Sequence, residues 1–365
     1  EMLRSLVGSE MCIRDSYIGG SISTRIYENN LLSQNDLERL VDYDSLSEVL
    51  NALSDSSYRE SIQALSRDEE YEKILDDELK KSYKLIENTA SDSNILDYFR
   101  ERYNFHNLKV LLKEIIQKEN YANLYSDLGN IDLAYIKKKL LNEDAIEKDF
   151  LETLDIEGYE PFNKSDNPSD PYLEYAKEAL GIFDESKNPK DLEISLDKAY
   201  YKKLLEDAKA IDLEELTRYT KERIDLINLK TMLRVKSKDS DIEELNSALI
   251  DGGYIEKERF DEIFPQEIDQ IVVSLSNENI NKYVVNALDG DKTMDQNLLD
   301  LEKSIDDHQM DYSRLAKQMT YGPEVLMNYI ISKEAEIKNL RIILVSKLNN
   351  LPKDFTLERL RETYV

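Results

Sequence analysis

The chain has 365 residues and a formal charge of −28; 34% of its residues are charged, and only 10 Gly and 7 Pro punctuate it. A surface this acidic repels phosphate backbones and anionic lipid headgroups over a Debye length, which excludes nucleic acid and bare membrane as partners. No apolar run approaches the roughly 20 residues that span a bilayer, nothing resembles a signal peptide, and the single cysteine, Cys12, cannot form an internal disulfide; the expectation is a cytoplasmic protein with no direct lipid insertion.

Residues 1–16, EMLRSLVGSEMCIRDS, carry no sustained helical period and read as a tail outside the fold. From Tyr17 onward the signals are helical, in keeping with a composition dominated by Leu, Glu, Lys, Asp and Ile. Ser33 precedes Asp36 by three residues, and Ser45 precedes Glu48 by three, two patterns of the capping-box type. The second opens an apolar stripe of Leu46, Val49, Leu50 and Leu53 at helical spacing. Residues 155–171 gather Pro161, Pro168 and Pro171 with Gly, Asn, Ser and Asp and read as a linker, with shorter breaks at Ser186–Pro189 and at Asp251-Gly252-Gly253. β alternation is scarce, since VDYDSL and QIVVSL are too short to force a sheet, so the expected class is all-α. From Tyr312 to Val365 nine Lys/Arg face six Asp/Glu. This is either ordinary variation along a solvated surface or a face that meets a different partner.

Comparing the chain with itself reveals a repeat. Residues 98–113 (YFRERYNFHNLKVLLK) and 219–234 (YTKERIDLINLKTMLR) share seven of 16 positions, and 330–345 (IISKEAEIKNLRIILV) keeps the centre. Asn107, Asn228 and Asn339 align, followed by Leu108, Leu229 and Leu340, and then by Leu112, Leu233 and Leu344. Leu75-Asp76 and Leu196-Asp197 precede their asparagines by the same 32 residues, and Gly129-Asn130-Ile131 and Gly253-Tyr254-Ile255 follow at similar distances. Apolar residues one helical face apart, such as Phe105, Leu108, Leu111, Leu112 and Ile115, predict a buried helix anchoring each copy. The asparagine beside that stripe reads as an amide closing a backbone hydrogen bond; the alternative is a ligand site, although an active site seldom needs three copies of one residue. The repeat divides the chain into helical units at 17–128, 129–252 and 253–365.

Residues 321–352, YGPEVLMNYIISKEAEIKNLRIILVSKLNNLP, resemble the signature end of the C-subunit family of V/A-type ATPases, whose eukaryotic V-type equivalent is the d subunit. The matching residues are Gly322, Pro323 and Glu324, then Lys333, Glu334, Glu336, Ile337, Asn339, Leu340 and Arg341. Tyr17, Arg25, Glu28, LLSQNDLERL and the stretch from Leu53 to Tyr58 fit the start of that family, so the resemblance covers residues 17–365. One departure is Val325, where the family often has a second Pro. The resemblance implies three similar helical subdomains in a pseudo-threefold funnel. It also implies a non-catalytic part of the central stalk that couples the D/F shaft to the membrane rotor ring of c/K subunits. It places the chain in the cytoplasm, peripheral to the membrane through that ring, and leaves H⁺ or Na⁺ coupling and the direction of work open.

Catalytic motifs are weak beside this. No phosphate-binding G-x-x-x-x-G-K-[ST] loop follows Gly19-Gly20, the two histidines His106 and His308 have no Cys/His cluster around them, and no G-x-S-x-G elbow occurs. The strongest enzyme rival is Asp306-Asp307 with Asp311, which is similar to the Mg²⁺-binding aspartates of helical isoprenoid synthases but lacks a partner motif. The 23 tyrosines are dispersed among acids and do not make a stacking surface for nucleic acid. Catalytic, cofactor and metal sites are therefore not expected. A generic α-helical adaptor is the second reading, disfavoured because solenoid units run to about 20–50 residues.

Overall fold

The computed structural model describes residues 17–89, 94–141 and 170–364, and among these every regular element is helical. The tail at 1–16, with Cys12, lies outside the described residues, as does most of the linker read over 155–171. The exceptions are Asp170 and Pro171, which already belong to a helix. Proline fits there because first-turn N–H groups have no intrahelical acceptor to lose.

The helices are α1 (Ile18–Glu28), α2 (Gln34–Asp42), α3 (Leu46–Leu53), α4 (Arg59–Gln63), α5 (Glu72–Thr89), α6 (Asn94–Gln117), α7 (Leu133–Leu141), α8 (Asp170–Ser186), α9 (Pro189–Ile211), α10 (Glu214–Ser237), α11 (Ile242–Ala248), α12 (Lys257–Ile263), α13 (Ile268–Ser274), α14 (Asn281–Ala287), α15 (Met294–Leu315), α16 (Pro323–Leu348) and α17 (Lys353–Arg359). Ser33 forms the full reciprocal capping box with Asp36. Ser45 accepts from the Glu48 N–H, but the Glu48 carboxylate reaches one residue further back, to the Asp44 N–H at 2.9 Å. QIVVSL is helical: Ile268–Ser274 is capped by the Glu267/Gln270 pair, and that cap overrides the β-branched composition. The breaks at Ser186–Pro189 and Asp251–Gly253 separate helices as expected.

The chain divides into two compact units, one made of residues 1–96 and 282–365 and the other of 97–281. In the first, α16 is the central element, contacting α1, α2, α3, α5, α15 and α17. Its 26 residues span roughly 39 Å, and residues from Pro323 to Lys347 are buried on every side of it, which is why its sequence shows no single apolar stripe. Helix α1 approaches α5 through Gly20, where a Cβ would stand 2.7 Å from the Thr89 carbonyl oxygen. In the second unit α9 packs against α8 and α10, and α8 against α7. Its core joins Phe105, Leu108, Leu111, Leu112 and Ile115 of α6 to Ile131, Ile136, Tyr172, Leu192 and Leu196.

Candidate functional site

The three repeat asparagines make the same pair of bonds. Asn107 donates its amide to the Ser126 carbonyl at 2.9 Å and accepts the Ser126 N–H at 2.7 Å. Asn228 does so with Ile250, at 2.8 Å for both bonds. Asn339 does so with Arg361, at 3.1 and 2.7 Å. One amide thus satisfies both polar groups of a single residue that lies 19 or 22 positions downstream, as a strand neighbour would, and pins the chain leaving the helix back onto it. An amide engaged on both atoms has little left to offer a ligand. Leu108, Leu112, Leu229, Leu233, Leu340 and Leu344 are all fully buried beside these amides.

The Gly-Pro-Glu loop opens α16 and meets the N-terminal motif. Gly322 has φ +143°, a conformation other residues rarely adopt, and a Cβ there would stand 2.4 Å from Glu324 Oε2. The Ser21 hydroxyl brackets it, accepting the Gly322 N–H at 3.1 Å and donating to its carbonyl at 3.3 Å. Pro323 takes the first helical turn, and Glu324 and Val325 are buried behind it, Val325 holding the place of the second proline without disturbing the helix start. Arg25 secures the turn leading in, donating to the Ala316 and Met319 carbonyls at 2.5 and 2.8 Å and to Tyr364 Oη at 3.0 Å, with Glu28 as its counterion at 2.8 Å. The first and last family motifs, some 300 residues apart in sequence, are one piece of structure.

Sequence reasoning missed a buried charge cluster on α16. Lys333 is 1% exposed; its ammonium lies 2.8 Å from Glu336 and 3.2 Å from Glu78 of α5, and 5.4 Å above the Tyr58 ring. Glu336 also accepts Tyr58 Oη at 2.6 Å and the Leu32 N–H at 2.5 Å. Burial alone would lower the Lys333 pKa, but the charges of Glu336 and Glu78 more than offset it and hold the proton more firmly than water does. The Lys-x-x-Glu spacing puts Lys333 and Glu336 on one face of the helix, but the third member, Glu78, is 255 positions away and nothing in the sequence names it.

The acidic run near residue 306 serves structure. Asp306 accepts Lys338 at 2.5 Å and Arg361 at 2.6 Å, while Asp311 accepts Lys282, Tyr283 and Arg314. Among the described residues no group of three His, Cys, Asp or Glu side chains is arranged to hold a metal, and no helix is long and apolar enough to cross a membrane. His308 is buried, edge-on to Tyr283 with ring centroids 4.9 Å apart.

In the second unit, burial pushes the Glu101 carboxyl of α6 up to about 7 against the opposing pull of Lys203. It accepts Tyr172 Oη at 2.6 Å, and its other oxygen has no hydrogen-bond donor among the described residues, a place that suits a proton. The folded pKa exceeds the unfolded value, so the folded state binds the extra proton between about pH 4.5 and 7. This contribution to stability is whole below about pH 4.5 and is lost as pH rises through about 7. Thermal melts between pH 5 and 8 should show wild-type stability declining with pH and Glu101→Gln declining less; parallel curves would show that Glu101 is ionised throughout.

Comparison with known proteins bears on what such a scaffold is for. The C subunit of the V-type sodium ATPase of Enterococcus hirae is 23% identical over 340 residues, covering 92% of this chain and 95% of the relative. The C subunits of the A-type ATP synthases of Methanocaldococcus jannaschii and Thermococcus kodakarensis are both 26% identical, over 92% and 88% of this chain and 83% of each relative. The profile of the "ATP synthase (C/AC39) subunit" family matches from residue 23 to residue 359, nearly the whole fold, and the chain belongs to that family.

Proposed function

We propose that this protein is the central-stalk subunit of a V/A-type rotary ATPase, seated between the D/F shaft and the membrane rotor ring. Family membership makes it a structural subunit of a multisubunit rotary complex, with no catalytic site of its own. The observation that carries the reading is the extent of the match, which runs through all the helices that hold the repeat asparagines. The physical argument concerns stiffness. A part that passes torque must not absorb it, and close-packed helices transmit strain. The amide bridges pin each repeat helix to the chain that leaves it, and the Lys333 cluster ties α16 to α5, by bonds that resist sliding more than apolar contact alone does. The proposal includes the repeated helical units and the funnel that the resemblance implies, with its mouth taking the shaft and its base spreading weak contacts over several ring subunits.

Reconstitution tests this. A complex assembled without the chain should retain ATP hydrolysis in its catalytic head, lose ATP-driven ion transport, and regain transport when the protein is added back. Full coupling in its absence, or failure of the protein to bind both the D/F shaft and the ring, overturns the proposal.

A further inference from the structure

A second set of bonds accompanies the amide bridges, three residues earlier on each repeat helix. On α6, Asn104 accepts the Asn130 N–H at 2.8 Å. On α10, Asp225 accepts the Tyr254 and Ile255 N–H groups at 3.0 and 3.1 Å. On α16, Glu336 accepts the Leu32 N–H at 2.5 Å. Each donor lies one or two residues before the N-cap of a short helix: Asp132 caps α7 through the Tyr135 N–H, Glu256 precedes α12, and Ser33 caps α2. The residue ahead of each start is apolar (Ile131, Ile255, Leu32), and a buried apolar residue follows at hydrophobic-staple spacing (Ile136, Phe260, Leu37). The local design is the same three times. In two cases the repeat helix holds the stretch of chain that comes next, and in the third it holds the stretch that came first.

The N-terminal stretch is built to fill that place. Helices α2 to α5 begin at residues 34, 46, 59 and 72, and α12 to α15 begin at 257, 268, 281 and 294, a constant shift of 222 or 223. Buried positions keep step: Leu37 with Phe260, Val49 with Ile271, Leu53 with Leu275, Tyr58 with Ile280, and Tyr83 with Ile305. The stretch whose start is bonded to α16 therefore copies, helix for helix, the stretch whose start is bonded to α10.

We propose that the chain closes cyclically, with the last repeat helix clasping the first short-helix segment as each earlier repeat helix clasps the following one. The seam runs through Leu32 and Glu336. It continues through Lys347, which donates to the Val41 carbonyl at 2.7 Å, and Lys353, which donates to the Asp42 carbonyl at 2.6 Å. Residues 31–63 thereby complete the unit of Asn339, and they are not an arm attached to the unit of Asn107. This assignment is independent of the function proposed above and concerns the isolated protein.

Hydrogen exchange on the intact chain reads the clasp directly. Asn104→Leu and Asp225→Leu should speed exchange about tenfold in peptides 130–141 and 254–263, and Glu336→Leu should do the same in 31–42, far away in sequence. Because Glu336 also serves Lys333 and Tyr58, Leu32→Pro is the companion variant: it removes the donor N–H and leaves the charge cluster whole. It should produce the same local acceleration, whereas Glu336→Gln, whose amide oxygen still accepts the Leu32 N–H, should leave that peptide near wild type. Unchanged exchange at 31–42, a rise spread evenly over the chain, or a loss of protection confined to 349–364 would each overturn the closure. Should Glu336→Leu fail to fold, Leu32→Pro still reads the same bond, with Glu336→Gln as the control that keeps it.

Discussion

Lys333→Met is expected to cost about 3–5 kcal/mol, because it leaves the Glu78 and Glu336 carboxylates buried without their cation. For a unit of this size that is a fall in melting temperature of roughly 6–20 °C. The cost comes from stranding two acids and exceeds what the intact pair contributes, so a second prediction is attached to it. Neutralising the acids in the triple variant Lys333→Met/Glu78→Gln/Glu336→Gln should recover much of the loss, since the amide introduced at position 336 can still accept from Tyr58 and Leu32. If the single substitution melts within about 2 °C of wild type, Lys333 is solvated in practice and the cluster does not hold α16 to α5.

Asn228→Ala is the second large effect, at about 2–4 kcal/mol, because the N–H and carbonyl of Ile250 both lose their partner. Ile250 is itself 5% exposed, whereas Ser126 and Arg361 are half-buried and can turn their freed groups toward water. Urea denaturation should therefore rank Asn228→Ala as more destabilising than Asn107→Ala or Asn339→Ala. Asn228→Asp should not rescue it: the carboxylate can still accept the N–H but sets an oxygen against the Ile250 carbonyl. Equal losses at all three sites would show that residual water, and not burial of the bridged residue, sets the cost.

These two sites differ in how far the sequence announced them. Asn228 could be read from the chain because it recurs: the same amide, beside the same leucines, has the same backbone task at each copy. Ser33 could be read because a capping box is complete within four residues. Lys333 could not, since its partner Glu78 is 255 positions away and neither residue departs from ordinary helix composition. The short helices α4, α7, α11, α12, α13 and α14 were equally hard to place. Segments of five to nine residues show barely two turns of periodicity, and QIVVSL illustrates how a cap and a buried face decide such a case against propensity. The meeting of Arg25 and Ser21 with the turn before α16 is likewise a property of the folded chain, because nothing in either stretch names the other.

The position of α16 has a consequence for biogenesis. The helices at residues 18–89 bury their apolar faces largely against a helix that begins at residue 323, so on the ribosome they must wait for more than 200 further residues to be made. At about 5–20 residues per second this leaves their apolar faces uncovered for roughly 10–50 s. The unit at 97–281 is continuous in sequence and can condense during that interval. Helices made well before α16 are thus finished only after it, and in the meantime they are natural clients for a chaperone that recognises apolar helical stretches.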